Sequence, residues 1–193
     1  MKRGGVNRVS MLLPAAADED LVDGAYGYSS DDLNCCLGYL GRFTFGSVDI
    51  RIPVGYKGQD VEQARRTVKA VCAFSPAHIT LLPFNDAAEQ TRELVESCAE
   101  LLDHAGYKRY TATRFTKNGS TCRFETERLA GCDVFGFGLG ARSIMGNVVC
   151  TNTTDLNCYL ENSGWYDKIV AKVERLDAKA RQDYLDACKR ELR

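Results

Sequence analysis

The sequence predicts an α/β fold built on parallel strands. Three observations carry that expectation. Apolar, strand-like runs alternate with helical stripes three times before residue 106. Capping residues mark helix ends at Ser30, Asp60 and Gly106. The strands also place polar side chains at alternate positions, a period that one-sided burial imposes.

In chain order, Val6 to Leu13 reads as a strand stopped by Pro14. Ser30 offers an N-cap, with Asp31 and Asp32 in the first turn and Leu33, Cys36, Leu37 and Leu40 on one face, for a helix ending near Gly41. Ser47 to Val54 is the second strand. Asp60 caps a helix that carries Val61, Ala64, Val68, Val71 and Cys72 at spacings of three and four. Ala77 to Phe84 is the third strand, and Asp86 to Ala105 the third helix, striped by Leu94, Cys98, Leu101 and Ala105. Three strand–helix repeats imply right-handed crossovers between parallel strands. Beyond Gly106 the pattern becomes more β-like over Tyr107 to Thr116, a glycine loop follows, and Thr153 to Leu160 reads as a short helix. Ile169, Val173, Leu176, Ala180, Tyr184 and Cys188 then recur at helical spacing, which predicts one closing amphipathic helix. The expected organisation is therefore 1–106, 107–160 and 161–193.

The strands hold the first candidate site. In Val48-Asp49-Ile50-Arg51-Ile52 the aliphatics share one face and the charges the other. Parallel strands covered on both sides read as continuous apolar runs, so Asp49 and Arg51 predict a polar barrel interior or a ligand cleft. His78 and Thr80 repeat the pattern on the third strand, and Arg8 and Ser10 on the first. The plainer alternative is a structural Asp–Arg pair beside a satisfied histidine. A buried ion pair adds little net stability, because desolvation offsets its attraction.

Composition removes several function classes. Net charge is −1 with no basic block, so the electrostatic footprint of a nucleic-acid binder is missing. No apolar run has the length of a membrane helix, and the N-terminus lacks the apolar core of a signal peptide. These features predict a cytoplasmic protein with neither nucleic acid nor membrane as partner. The nine cysteines are an odd number, which points to reduced thiols. None of their spacings matches a zinc or iron–sulfur motif, so they read as small core residues.

The stretch Phe135-Gly136-Phe137-Gly138-Leu139-Gly140-Ala141-Arg142-Ser143 is the second candidate site. Gly136, Gly138 and Ala141 satisfy a relaxed dinucleotide pattern. However, Ile144-Met145-Gly146-Asn147 does not open a helix, and no acidic residue follows at the ribose-binding distance.

Four motifs in order, "GVNRVSM" (5–11), "GYKGQD" (55–60), "GYKRYTATRFTKNG" (106–119) and "GFGLGARS" (136–143), resemble the radical SAM enzymes of the oxygen-independent coproporphyrinogen oxidase and heme chaperone group. The resemblance implies a partial parallel (β/α) barrel over 1–106 with a small mixed α+β C-terminal extension. It also implies that Gly136, Gly138, Gly140 and Arg142 form a substrate-side loop, where glycine permits close backbone approach. With the strand residues, the candidate ligand-binding set becomes Ser10, Asp49, Arg51, His78, Thr80, Gly136, Gly138, Gly140 and Arg142.

The departures from that family are as informative. Its C-x-x-x-C-x-x-C loop, whose thiolates hold a [4Fe–4S] cluster, has no counterpart in this chain. Aligned without gaps, the positions that contact S-adenosylmethionine carry Pro14, Tyr26 and Arg51, and the last replaces a carboxylate by a guanidinium. Phe124 to Leu129 stands where the heme chaperones have H-N-x-x-Y-W. No catalytic residue, metal ligand or cofactor is therefore assigned to this chain. The expected protein is a non-catalytic half barrel that binds a small molecule or a partner. The alternative is the substrate side of a split, tetrapyrrole-related radical SAM oxidoreductase whose cluster and S-adenosylmethionine lie on a separate chain. Either reading allows association, as a homodimer or with a cluster-bearing subunit, through the first strand or the last helix. A third reading, a self-contained enzyme with a cysteine nucleophile, needs a thiol beside His78 or His104.

Overall fold

The alternation of strands and helices organises the first part of the chain around one sheet. The computed structural model describes residues 4–21, 27–42, 45–56, 58–85 and 88–192. The expected helix start at Asp86 and the matched position Tyr26 lie outside the described residues. By contacts the chain divides into two units, Met1–Thr121 and Cys122–Arg193.

In the first unit β1 (Arg8–Leu12), β2 (Ser47–Val54) and β3 (His78–Pro83) are parallel neighbours. The helices α1 (Asp18–Leu21) and α2 (Ser30–Arg42) follow β1, α3 (Val61–Phe74) follows β2, and α4 (Glu89–His104) follows β3. A hairpin of β4 (Lys108–Arg109) and β5 (Arg114–Thr116) completes a five-stranded sheet of order β1-β2-β3-β5-β4, with β5 antiparallel to β3. The stretch 107–116, expected to open the extension, thus belongs to the first sheet. Its ladder partner is β3, and a tight hairpin returns the chain antiparallel without needing another crossover helix.

Alternation decides which face is buried. Ile50, Ile52 and Val54 of β2 and Ile79 and Leu81 of β3 are fully buried, packed with Leu33, Leu37, Val68, Val71, Leu94 and Leu102 from the helices. Each such side chain contributes roughly 1.5–3 kcal/mol of hydrophobic burial. All three long helices pack on this one face, as the outer helices of a barrel do. The predicted stripes hold with two exceptions: Cys36 on α2 and Val61 at the start of α3 are exposed, and on α2 Leu33 and Leu37 alone are buried. Asp60 caps α3 as expected, accepting from Gln63 N while Gln63 Oε1 accepts from Asp60 N in a reciprocal box.

The second unit contains α5 (Arg123–Leu129), a three-stranded antiparallel sheet of β6 (Arg142–Met145), β7 (Val148–Asn152) and β8 (Val170–Arg175), and α6 (Leu156–Glu161), α7 (Tyr166–Ile169) and α8 (Ala178–Leu192). The single closing helix expected over 161–193 is therefore three elements. Ile169 ends α7, Val173 lies in β8, and Ala180, Tyr184 and Cys188 lie in α8. The open edge of β7 outcompetes local helix propensity, because pairing with β8 satisfies a row of backbone groups. Asp177 then caps α8 by accepting from Ala180 N at 2.7 Å. Among the described residues no helix is long and apolar enough to cross a membrane.

Candidate functional site

The face of the first sheet opposite the helices carries the polar members of β1, β2, β3 and β5. Register aligns them in rows. Ser10, Asp49, His78 and Thr116 lie side by side across β1, β2, β3 and β5, and the next row runs Leu12, Arg51, Thr80 and Arg114. Side chains opposite one another in register share a face, so period-2 patterning has collected the site.

Asp49 is its centre. Oδ2 accepts from Ser10 Oγ at 2.7 Å, and Oδ1 accepts from Thr80 Oγ1 at 3.0 Å. His78 Nδ1 lies 2.6 Å from Oδ1. Arg8 stands 3.6 Å and Arg51 4.0 Å from Oδ2. Burial would push the Asp49 carboxyl up, but the hydrogen bonds from His78, Ser10 and Thr80 outweigh it and hold its pKa below the usual range. The carboxylate is thus ionised at neutral pH although it is almost fully buried. On its far side the His78 ring meets the hydroxyl of Tyr110, which lies 2.5 Å from Nε2. The two rings pack edge to face.

Five of the sequence-predicted residues, Ser10, Asp49, Arg51, His78 and Thr80, are therefore brought together. Both bland and functional expectations describe part of the result: His78 is satisfied, and the Asp–Arg pair is present. Two features exceed a structural pair. Arg8 and Arg51 share one carboxylate, and buried Arg51 Nε has no hydrogen-bond acceptor among the described residues. Arg8 and Tyr110 were not among the candidates. Arg8 shared the alternate-position signal, whereas Tyr110 lies just beyond a two-residue strand, too short for any period to show.

The cysteine-nucleophile reading finds no support at His78. Both ring nitrogens of His78 are occupied by Asp49 and Tyr110, and His104 is exposed at the end of α4. Burial pushes the Cys98 thiol up to about 11, only partly offset by Arg65, and likewise raises Cys72. Nor do the donors fit a metal cluster: among the described residues no three His, Cys, Asp or Glu side chains converge.

Gly136, Gly138, Gly140 and Arg142 belong to the second unit. The loop leads into β6 instead of a helix, so it lacks the helix N-terminus a dinucleotide pyrophosphate uses. Gly136 is required by close approach: a Cβ there would lie 2.4 Å from the carbonyl oxygen of Arg142. Gly136 N donates to Ser143 Oγ and Gly138 N to Tyr159 OH, both at 3.0 Å, and Asn152 Nδ2 donates to Gly138 O at 2.9 Å. Ser143 and Asn152 are buried, while Arg142 is exposed. Between the glycines, Phe135, Phe137 and Leu139 point to solvent.

A helix-covered parallel sheet with a polar opposite face is the architecture of a partial α/β barrel. No family model matches the chain, and no curated protein matches it. Among solved structures the coproporphyrinogen III oxidase (HemN) of Escherichia coli, described as a radical SAM enzyme, is similar in fold, with a TM-score of 0.75 at 16% identity. The match covers 99% of this chain and 51% of that one, so the chain spans about half the length of the enzyme it resembles. The fold expected from the four sequence motifs is thereby shown.

Proposed function

We propose that this chain is a ligand-binding half barrel of radical-SAM-like fold that performs no radical chemistry by itself. It takes a carboxylate-bearing small molecule against the polar face of its first sheet. The observation that carries this reading is the charge arrangement around Asp49. The strand positions of that face hold three guanidinium groups, Arg8, Arg51 and Arg114, against one carboxylate. Arg51 Nε is a buried donor without an acceptor among the described residues, and such a donor costs free energy until an oxygen meets it. An arginine fork fits a carboxylate in two-point geometry.

Coproporphyrin III, a porphyrin with propionate side chains, is a suitable probe, since the structurally similar enzyme is named for the reduced form of that compound. Fluorescence titration should show saturable binding that Arg51→Ala weakens about tenfold, the scale of one lost charge-assisted hydrogen bond. Absence of binding, or equal affinity in the variant, contradicts the proposal. Anaerobic reconstitution with iron and sulfide should yield no thiolate-bound cluster, as the chain has no cysteine trio with cluster spacing.

The half-length coverage of the similar enzyme favours a second reading. Here the chain is the substrate side of a tetrapyrrole-related radical SAM enzyme whose [4Fe–4S] and S-adenosylmethionine half is another polypeptide. Beyond β1 no strand continues the sheet among the described residues, and exposed strand edges template pairing. Light scattering of the isolated chain distinguishes a homodimer from a monomer, and co-purification with a chain bearing C-x-x-x-C-x-x-C supports the split enzyme.

A further inference from the structure

Asp49, His78 and Tyr110 are connected in series, and the donor roles along that series follow from chemistry. An ionised carboxylate only accepts hydrogen bonds, so the contact at Asp49 Oδ1 requires His78 Nδ1 to carry the proton. With Nδ1 carrying the proton, a neutral imidazole offers Nε2 as an acceptor within reach of the Tyr110 phenol, which can donate to it. His78 is fully buried and Asp49 nearly so, whereas Tyr110 is only half-buried. A buried carboxylate thus backs an imidazole, and the imidazole backs a hydroxyl on the sheet's polar side. This is the connectivity by which a base activates a hydroxyl group.

We propose that Tyr110 is an acid–base residue, relayed through His78 and Asp49, for a carboxylate-bearing molecule on the polar face. The inference rests on the ligand-binding reading above and adds a reaction class, proton transfer. His78 Nε2 takes the phenolic proton, breaking the Tyr110 O–H bond, and Asp49 holds the resulting imidazolium. The phenolate then accepts a proton from an acidic C–H or O–H bond of the ligand, whose electron pair stays on the ligand. The relay returns one proton to the ligand at another position. The net change is a proton shift that consumes no oxidant or reductant. Arg8 and Arg51 from β1 and β2 hold the ligand carboxylate and stabilise the charge that develops, with Arg114 of β5 on the same face. Ser10, Thr80 and Thr116 are the uncharged groups beside them. A histidine buried only for structure would make the same hydrogen bonds but leave the phenol with ordinary reactivity.

Labelling of the full chain with an aryl sulfonyl fluoride separates the two. The tyrosine oxygen attacks sulfur, an S–O bond forms and fluoride leaves, so the rate reads phenolate character. Peptide mass spectrometry should find Tyr110 modified about a hundredfold or more faster than the exposed Tyr39, the low end of what a positioned base supplies. His78→Gln and Asp49→Asn should abolish that advantage. Labelling of Tyr110 at the Tyr39 rate, or a rate unchanged in folded His78→Gln, overturns the proposal. Imidazole ¹⁵N spectra supply a check independent of variant folding. Wild-type His78 should be protonated at Nδ1, and Tyr110→Phe should shift Nε2; a proton on Nε2 overturns the relay. Coproporphyrin III titration is read separately. Binding with an ordinary Tyr110 sinks the relay alone, and a reactive Tyr110 without binding sinks the ligand site and with it the proposed substrate class.

Discussion

The two faces of the first sheet come from the same strands, one residue apart, and they do opposite work. Ile50, Ile52, Ile79 and Leu81 point into the helices and bring no polar side-chain atom that needs a partner. Asp49, His78 and Thr80 point the other way and satisfy one another through a single carboxylate, and beside them Arg51 Nε has no hydrogen-bond acceptor among the described residues. The first face holds the fold through area, which is additive and tolerant. The second depends on geometry, where removing one member leaves the others without partners. The comparison teaches that stability and chemistry are separable here by residue parity. The glycine loop repeats the lesson on a smaller scale, with Gly136 set against the backbone of Arg142 and Phe135, Phe137 and Leu139 turned outward.

Substitutions can break this division, and the largest effect belongs to the apolar face. Leu81→Ala, at a fully buried position, should cost about 3 kcal/mol in chemical denaturation, from lost transfer energy and a cavity. A cost under about 1 kcal/mol would mean that the helix-covered face is not the core. Next comes Gly136→Ala, which forces the backbone of Arg142 to move and should destabilise by about 2 kcal/mol. Gly138→Ala meets open space and carries only the strain of φ +106°, so about 1 kcal/mol is expected. Equal costs would show that the carbonyl approach at Gly136 is unimportant.

Asp49→Asn should cost about 1–2 kcal/mol, since Arg8 and Arg51 lose their shared charge. Its signature is pH dependence. The folded carboxyl titrates below its unfolded value, so its stabilisation is complete above about pH 4 and is lost as pH falls through the folded pKa. Denaturation midpoints measured down the acid range should therefore fall less steeply in Asp49→Asn than in the wild type. The smallest effect is expected for Thr80→Val, about 0.5–1 kcal/mol, because Asp49 keeps Ser10 and His78.

Much of this was legible in the sequence, for reasons tied to particular residues. The strand over Ser47 to Val54 and the cap at Asp60 are local signals, and the structure contains both as read. The polar face was visible because Asp49 and Arg51 interrupt an aliphatic run. Its convergence on Asp49 was not, since that depends on register between strands tens of residues apart. Tyr110 escaped because its hairpin strands are two and three residues long. The closing segment misled for a different reason: Ile169 and Val173 fit a helical stripe, but the partner that makes Val170 to Arg175 a strand is β7.

The central claim is that the polar face of the first sheet receives an acidic ligand. A ¹H–¹⁵N map of the full chain titrated with coproporphyrin III tests it most directly. The account predicts that the largest amide shifts fall on Ser10, Asp49, Arg51, His78 and Thr80, and that Arg51→Ala removes them. No shifts on these strands, or shifts confined to the loop from Phe135 to Gly140, would contradict it.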